Sequence, residues 1–235
     1  MEDKSKLEIE INGAKDIAFL KNSNLDDIED LSLLIYTPVS LRFLKNFKNL
    51  KRLLIAGSIK DYSPVSGCTT LETLHISTSG AIDNLDFIKP LSIKTLELEC
   101  FRTKAKPFII PNLETIESLS ISSVSAIADL SFLSEFTNLE KLFLFEQQSK
   151  VLFGFTKLKK LEVLHLTNMF HLKNFQELKT IPQLETLNIH QFYINRKIKT
   201  DAKAELMKII ADLTNIKTIR ITINGDSNLY NNTVA

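Results

Sequence analysis

Two cysteines and four histidines are the side chains of this sequence best suited to nucleophilic or metal chemistry. His75 and Glu97 stand about 22 residues apart and Cys100 follows three residues later. A thiol nucleophile needs its imidazole base within hydrogen-bond reach. Three residues of extended chain span about 10 Å, so Cys100 is too far along a strand to share a proton with a His75–Glu97 pair. His165 and His190 form a second candidate pair. Zinc takes three or four ligands at fixed geometry, and no further His, Cys or acid converges on these two. The six glycines are scattered and build neither GxGxxG nor GxxxxGKS/T, so no phosphate cradle is present. Neither an enzyme, a metal site nor a cofactor site is expected, which leaves binding.

The spacing of these residues follows from the elements that carry them. "LETLHIS" begins at Leu71 and "LETLNIH" at Leu184, and the same L-x-x-L-x-L phrase recurs between and around them. It reads "IEDLSL" from Ile28, "LKRLLI" from Leu50, "IKTLEL" from Ile93, "IESLSI" from Ile116, "LEKLFL" from Leu139, "LEVLHL" from Leu161 and "IKTIRI" from Ile216. Its central apolar residue falls at Leu31, Leu53, Leu74, Leu96, Leu119, Leu142, Leu164 and Leu187, each step within a residue or so of 22. Alternation in the LxL segment puts both leucines on one face and the residue between them on the other. Apolar residues three or four apart then close the opposite wall, in "SLRFLKNFKNL" from Ser40, "NLDFIKPLSI" from Asn84, "DLSFLSEFTNL" from Asp129 and "LKNFQELKTIPQL" from Leu172. One such unit cannot bury its own apolar stripe, whereas stacked units build a continuous core.

This pattern resembles the leucine-rich repeat family over nearly the whole chain, and the second phrase resembles the 22-residue units of internalin-like bacterial proteins. The resemblance implies an α/β fold: a curved, right-handed solenoid with a parallel sheet on its concave face, short helices or 3₁₀ turns on its convex face, and a C-terminal capping helix. Many family members place Asn at the ninth position of the unit. Here that position reads Asn12, Tyr36, Ser58, Ser79, Phe101, Val124, Gln147, Met169 and Phe192. The turn after each strand must therefore satisfy its backbone by other means. A single domain is expected over 1–223, with an N-terminal cap at 1–27, repeats over about 28–191 and a capping helix and strand at 192–223. The cap helix should run from about Asp201 to Leu213, capped by Asp201 or Thr200, with Leu206, Ile209, Ile210 and Leu213 as its apolar stripe. "KLEIEI" should be a capping strand with a short helix near Ala14–Lys21, and the polar residues 224–235 a flexible tail.

If the leucines point inward, the residues between them build an outward face. One column reads Glu8, Ser32, Leu54, His75, Glu97, Ser120, Phe143, His165, Asn188 and Arg220; the next reads Glu10, Leu34, Ala56, Ser77, Glu99, Ser122, Phe145, Thr167, His190 and Thr222. Phe143 and Phe145 are not needed by a core that Leu142 and Leu144 already fill. They stand as an interface anchor. The face also reads as acidic, through Glu29, Asp30, Glu72, Glu97, Glu99, Glu117, Glu140, Glu146, Glu162 and Glu185 against Lys51, Arg52, Lys94 and Lys141. Glu72, Glu117, Glu140, Glu162 and Glu185 share one position at the strand edge, where keeping a rim soluble is the alternative reading, so Glu97, Glu99 and Glu146 are the stronger candidates. The residues expected to bind a partner are Glu97, Glu99, Phe143, Phe145, Glu146, His165, Asn168, Asn188 and His190.

A formal charge of +1 speaks against a bulk-electrostatic nucleic-acid binder, and 44% hydrophobic residues suffice for a core. The two cysteines read as reduced thiols. "MEDKSKLEIEING" shows no signal peptide and no apolar stretch spans a bilayer. The triplet Asn231-Asn232-Thr233 matches a glycosylation acceptor, but nothing else suggests secretion. A cytoplasmic, non-enzymatic protein-binding module is expected, with no nucleic-acid, membrane or cofactor partner, its protein partner carrying a basic surface. A bacterial immunity or inhibitor protein covering a toxin that attacks nucleic acid is the narrower reading, and a self-associating scaffold is the alternative.

Overall fold

A computed structural model describes residues 4–21, 23–57, 59–103, 108–124, 127, 129–147, 149–169, 171–191, 200–223 and 226–230. The chain divides into two compact units, Met1–Ile116 and Glu117–Ala235.

The first unit carries β1 (Lys6–Ile11), β2 (Asp30–Ile35), β3 (Arg52–Gly57), β4 (Thr73–Ser77) and β5 (Thr95–Glu99), adjacent in chain order and parallel. The L-x-x-L-x-L phrases set the register, since Leu31 pairs with Leu53, Leu53 with Leu74 and Leu74 with Leu96. These leucines and the apolar residues two positions on (Leu33, Ile55, Ile76, Leu98) are essentially solvent-free. The opposite wall comes from 3₁₀ turns at Leu41–Asn46, Ser63–Gly67 and Asp86–Ile88, which bury Leu41, Leu44, Val65 and Ile88. A short polar side chain starts these turns by accepting from the amide two residues on: Asp61 Oδ1 from Ser63 N at 2.8 Å, and Asn84 Oδ1 from Asp86 N at 3.1 Å. The helix expected near Ala14–Lys21 is a pair of 3₁₀ turns, Ala14–Ile17 and Phe19–Lys21.

The second unit repeats the scheme with β6 (Ser118–Ser122), β7 (Lys141–Phe145), β8 (Val163–Thr167), β9 (Thr186–Gln191) and β10 (Thr218–Ile223), also parallel in chain order. Asp129 Oδ1 accepts from Ser131 N at 2.9 Å to open the 3₁₀ turn Ser131–Glu135. Helix α1 (Thr200–Ala211) packs against the 3₁₀ turn Phe175–Thr180 and buries Leu206, Ile209 and Ile210, with Leu213 just beyond its end. The capping side chains of Thr200 and Asp201 lie outside the described residues, as do Ser58, Phe192 and the triplet at 231–233. The flexible-tail expectation is corrected in part: Asp226–Tyr230 forms β11, antiparallel to β10, because the free edge of β10 offers unpaired amides and carbonyls.

One junction recurs in both units. The carbonyl oxygen of the residue before a strand accepts two amides from the next repeat. Glu29 O takes Lys51 N and Arg52 N, Glu72 O takes Lys94 N and Thr95 N, Glu117 O takes Glu140 N and Lys141 N, and Glu140 O takes Glu162 N and Val163 N.

Candidate functional site

The outward columns assemble as the alternation requires. In the first unit Glu8 pairs with Ser32, Ser32 with Leu54, Leu54 with His75 and His75 with Glu97. In the second, Ser120 pairs with Phe143, Phe143 with His165, His165 with Asn188 and Asn188 with Arg220.

His75 lies between two carboxylates, its Nδ1 3.5 Å from Glu97 Oε2 and its Nε2 3.4 Å from Glu99 Oε2. Sequence spacing anticipated the Glu97 neighbour. Glu99 joins because the imidazole reaches diagonally to the next residue on the same face of β5. Cys100 is exposed, while Cys68 is buried and burial pushes its thiol up to about 11, far from a nucleophile at neutral pH.

Phe143 and Phe145 are half-buried on the outward face, and Leu142 and Leu144 beside them are fully buried. Phe143 meets His165 edge to face, with ring centroids 4.7 Å apart. On its other side His165 bonds Asn188. The Asn188 amide nitrogen donates to His165 Nε2, which therefore carries the lone pair, and the Asn188 carboxamide oxygen finds no donor among the described residues. Burial first, then the charges of His190 and Arg220, holds the His165 imidazole below its ordinary value; burial and Arg220 do the same to His190. Asn188 is only 3% exposed, so it positions His165 rather than offering its own surface.

Glu146 and Asn168 belong to a different construction. Cys100, Ser123, Glu146 and Asn168 each follow a strand and adopt left-handed backbone, with φ of 59°, 55°, 53° and 55°. Their turn sends amides forward along the sheet: Ser123 N donates to Phe145 O, Glu146 N to Thr167 O and Asn168 N to His190 O. In the second unit the side chains link as well. Ser123 Oγ donates to Glu146 Oε2 at 3.0 Å and Asn168 Nδ2 to Glu146 Oε1 at 3.3 Å. The ninth-position role passes to Gln147, whose Nε2 donates to the Ile121 and Phe145 carbonyls, while Phe101, Val124 and Met169 fill that position with apolar bulk. A Gln standing where Asn is usual was the available signal for this substitution.

The acidic outward strip is corrected. Glu29, Glu72, Glu117, Glu140, Glu162 and Glu185 immediately precede strands and form a rim beside the face, because the strands begin one residue later. Lysines at the equivalent position pair with some of them: Lys51 with Glu29 at 2.9 Å, Lys94 with Glu72 at 3.5 Å and Lys217 with Glu185 at 2.6 Å. On the strands themselves the first unit presents Glu8, Glu10, Asp30, Glu97 and Glu99, with Asp30 paired to Arg52. The outward strand positions from β6 to β10 carry no acid; they include Lys141, Phe143, Phe145, His165, Asn188, His190 and Arg220.

No family model and no curated protein sequence matches this chain. Solved structures do. Internalin C2 of Listeria monocytogenes superposes with a TM-score of 0.54 at 21% identity, over 70% of this chain and 72% of that one. An internalin, InlF, of the same organism gives 0.50 at 19% identity, over 91% of this chain and 72% of that one. Strands placed once per period by L-x-x-L-x-L and returned through 3₁₀ turns, with a helix before the last repeat strand, together with these two likenesses, give the chain the leucine-rich repeat fold of the α/β class.

Proposed function

We propose that this protein is a non-enzymatic protein-binding module that grips its partner with the outward faces of its strands. Phe143 and Phe145 carry the reading: two adjacent outward aromatics are half-buried while the inward leucines of the same strand already complete the core. Large apolar surface left on a sheet face is the usual signature of a contact site. Glu97 and Glu99 around His75 supply a second contact region, one suited to a basic group of the partner. Within that class, an inhibitor that covers the cationic surface of a nucleic-acid-attacking toxin is the narrower reading. Glu146, Asn168 and Asn188 contribute by holding the corner and the His165 ring in place.

A photo-crosslinking amino acid at Ser120 or Thr222, on the outward face, tests the proposal in extract of the source cells, with the same group at Lys89 behind the sheet as control. A discrete adduct to a foreign protein from the outward positions alone is expected. Adducts only between copies of this chain would favour the scaffold instead, and equal labelling from Lys89 would refute use of this face.

A further inference from the structure

The second unit differs in chemistry from the first, and that difference narrows what it binds. Its outward row runs Phe143, His165, Asn188, Arg220 across four adjacent strands. Toward one side stand two aromatics and, three strands on and next to β11, an exposed guanidinium for which no carboxylate partner is found among the described residues. The cations at the starts of strands in the two units differ, since Arg52, Lys51, Lys94 and Lys217 have acids beside them. No acid occupies an outward strand position from β6 to β10. Among the described side chains of β6 to β10, acids stand at the two strand ends. Glu146 is engaged by Ser123 and Asn168 at the corner. Glu162 and Glu185 sit on the rim, three residues of extended strand from the His165–Asn188 row, about 10 Å away, which is a full screening length at physiological salt.

Resting on the protein-binding reading, we propose that the outward face of β7–β10 seats a partner segment bearing one carboxylate on Arg220 and one aromatic or large aliphatic side chain on Phe143 and Phe145. Arg220 offers a two-pronged donor that matches a carboxylate, a recognition a lysine at that position would lack. Three strand spacings separate Phe143 from Arg220, about 14 Å. A segment lying across the strands in extended form covers that distance in about four residues. One guanidinium on the row matches one carboxylate, so the partner motif is an Asp or Glu about four residues from its apolar anchor.

The experiment is a phage-displayed library of random dodecapeptides selected on the whole chain, with binders re-measured individually on Arg220→Glu, Arg220→Lys, Phe143→Ala and Glu97→Ala proteins whose unfolding midpoints are recorded. The expected binders carry Asp or Glu about four residues from Phe, Tyr, Trp or Leu. They lose at least tenfold in affinity on Arg220→Glu and on Phe143→Ala, and lose several-fold on Arg220→Lys. Binders that need Phe143 but carry no acid, or that ignore Arg220→Glu, overturn this inference and leave the protein-binding reading standing. Binders enriched in Lys or Arg that depend on Glu97 do the same, moving the contact to the first unit. A selection in which no peptide depends on either face overturns both.

Discussion

Replacing Leu142 by Ala measures whether the inward–outward assignment is right. Leu142 is fully buried, and its ladder neighbours Leu119 and Leu164 are fully buried too. Trimming the side chain to a methyl removes three carbons, and at about 0.8 kcal/mol each the lost transfer energy is roughly 2.4 kcal/mol. The cavity adds to this. Leu119 and Leu164 are held by their own strands and Leu144 is equally enclosed, so the walls cannot close in. The total should fall in the upper half of the ~2–5 kcal/mol range for such changes. Phe143→Ala, one residue along, opens no cavity. It forfeits partial burial and the edge-to-face contact with His165, the latter worth about 0.5–1.5 kcal/mol. Urea unfolding followed by circular dichroism compares the two proteins through their midpoints at matched slopes. If Phe143→Ala destabilises as much as Leu142→Ala, or if Leu142→Ala shifts stability by less than about 1 kcal/mol, the facing of β7 is wrong and the binding argument goes with it.

Gly57→Ala should destabilise by about 3 kcal/mol or more, because its φ of 126° suits only glycine and an added Cβ would run into the Ile35 carbonyl oxygen; tolerance in a thermal melt would contradict this. Cys100→Gly should stabilise by up to about 1 kcal/mol by removing left-handed strain at an exposed position. Glu146→Gly should gain nothing, since it relieves the same strain but gives up the bonds from Ser123 and Asn168; equal gains from both substitutions would show the corner bonds to be inert. His165 and His190 are held below 6.5 in the folded chain, so the unfolded chain takes up protons first as pH falls. Stability is therefore full above 6.5 and declines as pH drops through the folded values. Urea midpoints should fall between about pH 7.5 and 5.5, and His165→Gln should flatten that dependence; a midpoint that rises on acidification reverses the sign.

The fold was legible because its determinant is periodic. Leu31 to Leu187 mark strand after strand, and the stripe Leu206, Ile209, Ile210, Leu213 marks the helix. Pairings one period apart, such as His75 with Glu97, follow from the same count. What escaped is whatever depends on where a strand starts or on side-chain reach. Glu72, Glu162 and their equivalents share a strand-edge position, and counting that rim together with the face made the whole surface look acidic. The left-handed corners carry Cys, Ser and Glu where glycine would have announced them, so their geometry was hidden. Asn188 looked like surface because alternation cannot register the His165 ring lying against it. Strand β11 pairs through its main chain, which leaves little imprint on a polar sequence.

The doubled amide contact to the carbonyls of Glu29, Glu72, Glu117 and Glu140 implies a chain editable in whole turns. Excising Glu140 to Leu161 would deliver the Glu162 and Val163 amides to the Glu117 oxygen, the acceptor that Glu140 and Lys141 use now. The splice reproduces its own chemistry, whereas loss of a single residue would leave a donor with no acceptor in phase. Length is thus a quantity this protein can change in increments, and such a shortened variant would keep its seams while bringing Ser120 directly beside His165 in place of Phe143.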